Sequence, residues 1–202
     1  MMLGDTSPSN GILFVCTGNV CRSPYAERRL RQLLPDAGVA IVSAGTGALV
    51  GSDIEPATRE ALTRSGADVT GFAARAVIPQ LVAESALVLT MTRAHRGAVA
   101  RLHPAALRRA FALGDFAELC RASDSWRPVS AAEPWLPQVV AEAAAARGTV
   151  APRDVLEVDV VDPYGGSERL HSEAFDRIEE QLQVIVAAIS AVAGLPQAAA
   201  RL

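Results

Sequence analysis

Cys16, Arg22 and Ser23 fall within one nine-residue stretch, VCTGNVCRS (residues 15–23), directly after the apolar run Ile12–Val15. Gly18 and Asn19, between the thiol and the guanidinium, tolerate the unusual backbone angles of a tight loop. Such a loop, wrapping from a strand into a helix, turns successive N–H groups inward as an anion nest. The helix that follows adds the partial positive charge of its N-terminus. Arg22 supplies a planar fork for two oxygens of a tetrahedral oxyanion. Thiols beside cations and helix N-termini drop from about 8.5 into the ~3.5–7.5 range, so thiolate is the form expected to attack phosphorus in line. The Ser23 hydroxyl is placed to donate to that sulfur and later ease its departure.

A departing phenolate, of pKa ~10, needs a proton, and a positioned general acid is worth about 10²–10⁴ in rate. Asp162 in VVDPYGG is the candidate, because Pro163 and Gly165-Gly166 make a turn that can hold an acid over the loop. Tyr164 beside it suits one wall of a slot for an aromatic substrate. Asp159 is the reserve acid in the same stretch.

These residues need a scaffold, and the periodicity supplies one. Ile12–Val15, Val39–Ser43, Ala86–Met91 and Arg109–Leu113 read as strands. Helices are expected from the Ser23-Pro24 pair, with Ser23 as N-cap, at Pro56–Ser65, Arg93–Leu102, Asp115–Arg121 and Glu173–Val192. In the first of these, Leu30, Leu33 and Leu34 form the apolar stripe while Glu27, Arg28, Arg29 and Arg31 are expected in water. Strands alternating with helices predict an α/β fold: one four-stranded parallel sheet covered on both faces, with ligands at the carboxyl ends of its strands. Residues 123–152 hold both tryptophans, four prolines and the stretch VVAEAAAARG, and read as an insertion with one short helix. About 30 residues cannot bury a core alone. The domain is expected over 11–193, with flexible tails at 1–10 and 194–202.

Composition narrows the class. The 202 residues are 50% hydrophobic and 20% charged, with a net charge of −3, so no basic field calls for nucleic acid or an acidic membrane. All 19 cations are arginine, which removes lysine chemistry and a Walker-type loop. Three cysteines do not make a disulfide framework. The N-terminal stretch lacks signal-peptide character, and the longest apolar run, VIVAAISAVAGL, is short of the ~18 residues of a membrane span. A cytoplasmic, reduced setting is expected. The Ala- and Arg-rich composition without lysine suggests a GC-rich bacterial genome.

V-C-T-G-N-V-C-R-S-P and D-P-Y-G together resemble the low-molecular-weight protein tyrosine phosphatases. S-A-G-T at 43–46, L-V-L-T-M at 87–91 followed by His95, and L-G-D-F-A at 113–117 are similar in order and spacing. The resemblance spans about 11–121 and 153–193. It implies a cysteinyl-phosphate intermediate formed without metal or other cofactor. Cys16 would be the nucleophile and Asp162 the general acid. Phosphate would be held by Thr17, Gly18, Asn19, Val20, Cys21 and Arg22. Asn19 would shape the loop, and Ser23 would support the thiolate. The implied partner is a phosphotyrosine protein, since bacterial relatives often oppose autophosphorylating tyrosine kinases; the oligomeric state is left open. Phe72 stands where relatives often carry histidine, and Ala86 replaces a frequent aspartate.

Two related chemistries compete. An arsenate reductase would need an external thiol here, because Cys120 alone is left for a relay. A phosphoarginine phosphatase is disfavoured by Val20, where some such relatives carry threonine; an apolar Val20 suits the face of a tyrosine ring. Cys21 is either a packed thiol or the partner of Cys16 in a shielding disulfide. A zinc site built on one C-x4-C is set aside, as is a dinucleotide fingerprint in SAGTGALVG, which follows the second strand and lacks the third glycine. His95 and His103 are expected on a surface helix, solvated or capping. Trp126 and Trp135 either pack the insertion or frame the pocket.

Overall fold

The computed structural model describes residues 9–123, 126–130, 134–151 and 154–195. Four parallel strands lie in the order β2-β1-β3-β4. In the chain, β1 (Ser9–Cys16) leads through α1 (Arg22–Leu33) to β2 (Ala40–Gly45). Then come α2 (Pro56–Arg64), α3 (Pro79–Ala83), β3 (Ser85–Thr90) and α4 (Arg93–Leu102). A 3₁₀ turn at Pro104–Arg108 precedes β4 (Ala110–Ala112) and α5 (Leu113–Ala122). The chain continues through α6 (Trp135–Ala146), α7 (Val155–Val158) and α8 (Glu168–Ala193). The α/β class and the parallel sheet match the expectation from sequence.

Strand residues alternate between faces, so β1 feeds two separate cores. Ile12, Phe14 and Cys16 pack with Leu30, Phe116, Leu136 and Ile178, which places α1, α5, α6 and α8 on one face. Leu13 and Val15 pack with Val82, Val99 and Ala106, under α3, α4 and the 3₁₀ turn. Every β1 side chain from Ile12 to Val15 is fully buried, as expected of a central strand with helices on both sides.

The stretch expected as an insertion shares the larger core. Trp135, Leu136, Val139 and Ala143 of α6 are buried there, and Trp135 Nε1 donates to Ala37 O at 3.0 Å. That helix starts four residues before Val139, where the alanine-rich stretch begins. β1 starts at Ser9, upstream of the expected domain boundary; the tail assignments for 1–8 and 196–202 lie outside the described residues. α8 begins well before Glu173, because Ser167 caps it by accepting from Leu170 N. It stops at Gly194, in the left-handed region at φ 64°. No described helix is long and apolar enough to cross a membrane.

Two expectations about α1 are corrected. Ser23 is not its N-cap: the helix starts at Arg22 with Cys21 as cap, and the Ser23 hydroxyl turns toward the Cys16 sulfur instead. Glu27 and Arg28 are not in water but 4% and 6% exposed. Glu27 accepts from Ser43 Oγ at 2.6 Å and pairs with Arg31 at 3.0 Å; Arg28 donates to Asp68 O and Thr70 O at 3.2 and 3.1 Å. Both are buried because β2 and the loop before residue 72 supply partners.

Candidate active site

The segment from Cys16 to Ser23 folds into a cup where the carboxyl end of β1 meets the N-terminus of α1. Its shape comes from where its carbonyls go. Cys16 O accepts from Thr46 N at 2.9 Å, Thr17 O from Gly47 N at 3.0 Å, and Gly18 O from Leu49 N at 3.0 Å. Val20 O accepts from Glu55 N at 3.0 Å. With these oxygens tied to an outer wall, 46–55, the loop amides are available to the inner side. Gly45, paired with Cys16 in the sheet, lets the two segments touch: a Cβ there would stand 2.3 Å from Thr17 O. The glycines and threonine of SAGTG thus build the cup from outside.

Asn19 holds the turn. It is the one non-glycine residue with positive φ, at 55°, among the described residues, and it is fully buried. Its Nδ2 donates to Ser23 Oγ at 2.9 Å and to Ser43 Oγ at 2.8 Å, while its Oδ1 accepts from Arg75 N at 2.9 Å. The left-handed strain of an asparagine is offset by these three hydrogen bonds, two of them buried. Cys16 Sγ lies 3.0 Å from Ser23 Oγ and accepts from Asn19 N at 3.3 Å. A buried chain therefore runs from Glu27 through Ser43, Asn19 and Ser23 to the sulfur.

Arg22 is 3% exposed. Its Nη1 donates to Val160 O at 3.1 Å, its Nη2 to Thr17 Oγ1 at 3.4 Å, and Nη2 meets Asp162 Oδ2 at 2.6 Å. Its Nε has no hydrogen-bond partner among the described residues. Val160 N in turn donates to Met91 O at 2.9 Å, anchoring the acid segment to the end of β3. Asp162 Oδ1 accepts from Tyr164 N at 3.2 Å, and a Gly166 N–Pro163 O bond of 2.8 Å closes the expected turn. Cys16, Gly18, Val20, Arg22, Leu49, Asp162 and Tyr164 line one pocket of about 160 Å³. Asp159 is occupied elsewhere, accepting from Arg93 N at 2.8 Å at the start of α4.

His95 is a further correction. It is 9% exposed rather than solvated, with Nε2 2.9 Å from Thr17 Oγ1 and Nδ1 2.8 Å from Thr92 Oγ1. Burial, and then the nearby Arg22 charge, push it down to about 4, so it is a neutral hydrogen-bonding group. The TMTRAH spacing carried the signal: Thr92 caps α4 and turns His95 toward the loop. Cys21 lines the same pocket and packs with Val20 and Ala74. Burial pushes its thiol up to about 12, against a lowering by Thr58. Phe72 packs beside that cluster and lies under Arg28, 5.6 Å from its Cζ.

Comparison with known proteins fits this arrangement. A sequence profile described as low molecular weight phosphotyrosine protein phosphatase matches residues 11–143. The chain belongs to the low-molecular-weight protein tyrosine phosphatase family. It is thus a hydrolase of phosphate monoesters. It is 40% identical over 104 residues to the probable low molecular weight protein-tyrosine-phosphatase EpsP of Ralstonia nicotianae, covering 52% of this chain and 70% of that one. With Wzb of Escherichia coli K12 it shares 33% identity over 118 residues, 58% of this chain and 79% of the relative. The fold is similar to that of tyrosine phosphatase Wzb from Escherichia coli K30, with a TM-score of 0.64, 24% identity and coverage of 89% and 97%. It is equally similar to YwlE arginine phosphatase from Geobacillus stearothermophilus, with a TM-score of 0.64, 25% identity and coverage of 88% and 91%. The family profile ends before Asp162, so the acid segment rests on the geometry above.

Proposed function

We propose that this phosphatase hydrolyses phosphotyrosine in proteins through a cysteinyl-phosphate intermediate. The supporting observation is the meeting of Cys16 Sγ, Arg22 and the Asp162 carboxyl group around one pocket. The loop amides of residues 17–22 and the Arg22 fork hold the phosphate oxygens. Cys16 attacks phosphorus as the thiolate, and the P–O bond to the tyrosyl oxygen breaks. Asp162, entering as the carboxylic acid, gives its proton to that oxygen. In the second half, the Asp162 carboxylate takes a proton from water as the water oxygen attacks phosphorus. The S–P bond breaks, inorganic phosphate leaves, and the Ser23 hydroxyl donates to the returning sulfur from 3.0 Å. No metal is assigned a part.

The ring of the substrate lies between Leu49 and Tyr164, over the apolar side chain of Val20. Val20 also separates this reading from phosphoarginine hydrolysis, since its methyl groups offer the guanidinium no acceptor. An internal thiol relay for arsenate finds no support in Cys120, which is 5% exposed and pushed by burial up to about 12. The phosphoprotein partner is taken to be an autophosphorylating tyrosine kinase, and the setting to be cytoplasmic. A Cys16–Cys21 disulfide is kept as a redox proposal, although Cys21 is held as the neutral thiol.

The test is turnover of matched phosphotyrosyl and phosphoarginyl peptides without added metal, by wild type and Cys16→Ser. Higher kcat/KM on phosphotyrosine and no turnover in the variant are expected. A preference for phosphoarginine, or for arsenate with added thiol, would overturn the substrate; activity in the variant would overturn the mechanism.

A further inference from the structure

A second cavity, of about 260 Å³, lies beside the edge strand β4 and shares no lining residue with the Cys16 pocket. Arg93, Arg96, Arg147, Asp115 and Glu118 supply its charges. Arg93 grips Asp115 with two bonds, of 3.1 and 2.7 Å, and Glu118 pairs with Arg121. Arg96 and Arg147 have no carboxylate partner among the described residues. Arg96 Nε donates to Ala110 O at 2.9 Å; Arg147 Nη2 donates to the same oxygen at 2.9 Å and Nη1 to Leu107 O at 2.8 Å. Two guanidiniums that line the cavity thus converge on one neutral carbonyl. The proton affinity of Arg147 is lowered, first by burial and then by Arg96.

Two of those bonds cap the Ala110 carbonyl of the edge strand β4, and the third goes to Leu107 O. They use only a minority of the ten N–H donors that two guanidiniums carry. Arg147 is also fixed in place by the Phe111 ring, whose centroid lies 3.8 Å from its Cζ. Leu119, Val150 and Ala151 complete an apolar wall. The volume lies just under the ~300–1,000 Å³ common for ligand pockets, so it suits a single ring. Both guanidinium planes suit a flat partner.

We propose that this cavity binds a small aromatic oxyanion, with Arg96 and Arg147 gripping the oxyanion and the ring packed on Leu119 and Val150. The shared chemistry is a carboxylate or phosphoryl group on a flat apolar body. It is a site apart from the catalytic cup, built partly from the insertion, and does not depend on which phosphoester the cup hydrolyses.

The test follows backbone amide resonances of Phe111, Arg147 and Val150 in the full-length chain as benzoate or phenylphosphonate is added. Saturable shifts at these residues are expected with at least one probe; benzoate alone identifies carboxylates, phenylphosphonate alone phosphoryl groups, and both the shared oxyanion. Arg147→Gln should weaken binding about tenfold or more, as loss of a hydrogen bond to a charged group does. Ala151→Glu, at an exposed position on the cavity lining, adds a carboxylate to the cavity that the two guanidiniums line, so it should abolish binding. Absence of saturable shifts with both probes at millimolar concentration, or shifts unaltered in Ala151→Glu, would overturn the site.

Discussion

The cup at 16–23 and the acid segment at 160–166 face the same pocket but are built differently. Cys16, Asn19, Arg22 and Ser23 are all at most 3% exposed; the loop carbonyls are tied to the 46–55 wall, and Asn19 Nδ2 is tied to Ser23 and Ser43. Asp162 has a side chain 51% exposed, and Tyr164 is 60% exposed; few hydrogen bonds hold them. Phosphate binding is thus set in a pre-organised, desolvated shell, where electrostatic stabilisation is strongest. Proton transfer is left to a turn at the surface, where an incoming ring still has room. Substitutions in the first region should damage folding and chemistry together. Those in the second should damage chemistry or substrate affinity alone.

The largest separation is expected from Asp162→Asn. It should lower kcat on a phosphotyrosyl peptide by about 10²–10⁴, with unfolding free energy unchanged within about 0.5 kcal/mol. With an activated nitrophenyl leaving group the loss should shrink, because less protonation is needed. Steady-state rates on the two substrates check both points, and an equal loss on each would remove Asp162 as the proton donor.

Asn19→Ala is the counterpart inside the cup. It removes the partner of the buried Ser43 and Ser23 hydroxyls and of the Arg75 amide, and puts alanine at φ 55°. A destabilisation of about 2–4 kcal/mol is expected, read by urea unfolding, together with a fall in kcat. Stability within error of wild type would show that the cup is not held by this residue.

His95 predicts how acid acts on the cup. Its folded value is about 4 against an ordinary 6.5, so protonation favours the unfolded chain. The stability that neutral His95 contributes is complete above pH 6.5 and is lost as pH falls towards 4. Urea midpoints at pH 7 and pH 5 should differ more for wild type than for His95→Gln; an equal difference in both would contradict the assignment.

The smallest effect belongs to Tyr164→Ala. At this exposed position unfolding should change by less than about 0.5 kcal/mol, while KM for an aryl phosphate rises severalfold. Unchanged KM would show that Tyr164 does not touch the ring.

Sequence reading did best where local chemistry is dense. C-x5-R-S after a buried strand and D-P-Y in a turn named the residues that the structure gathers, and apolar runs located all four strands. It did worst where a side chain's fate depends on distant partners. Glu27 and Arg28 look solvated in a helix and are buried because Ser43, Asp68 and Thr70 are waiting for them. His95 reads as a surface histidine until Thr17, 78 residues earlier, is brought beside it. The part SAGTG plays in holding the cup's carbonyls leaves no mark in composition, because it acts through backbone N–H groups.

The proposed mechanism turns most directly on one covalent bond. Protein quenched in acid during turnover of a phosphotyrosyl peptide can be digested and its cysteine peptides weighed. One phosphoryl group on the peptide containing Cys16, absent from Cys16→Ser and from protein quenched without substrate, is the expected result. Sustained turnover with that peptide never phosphorylated, or with the phosphoryl group on another residue, would contradict it.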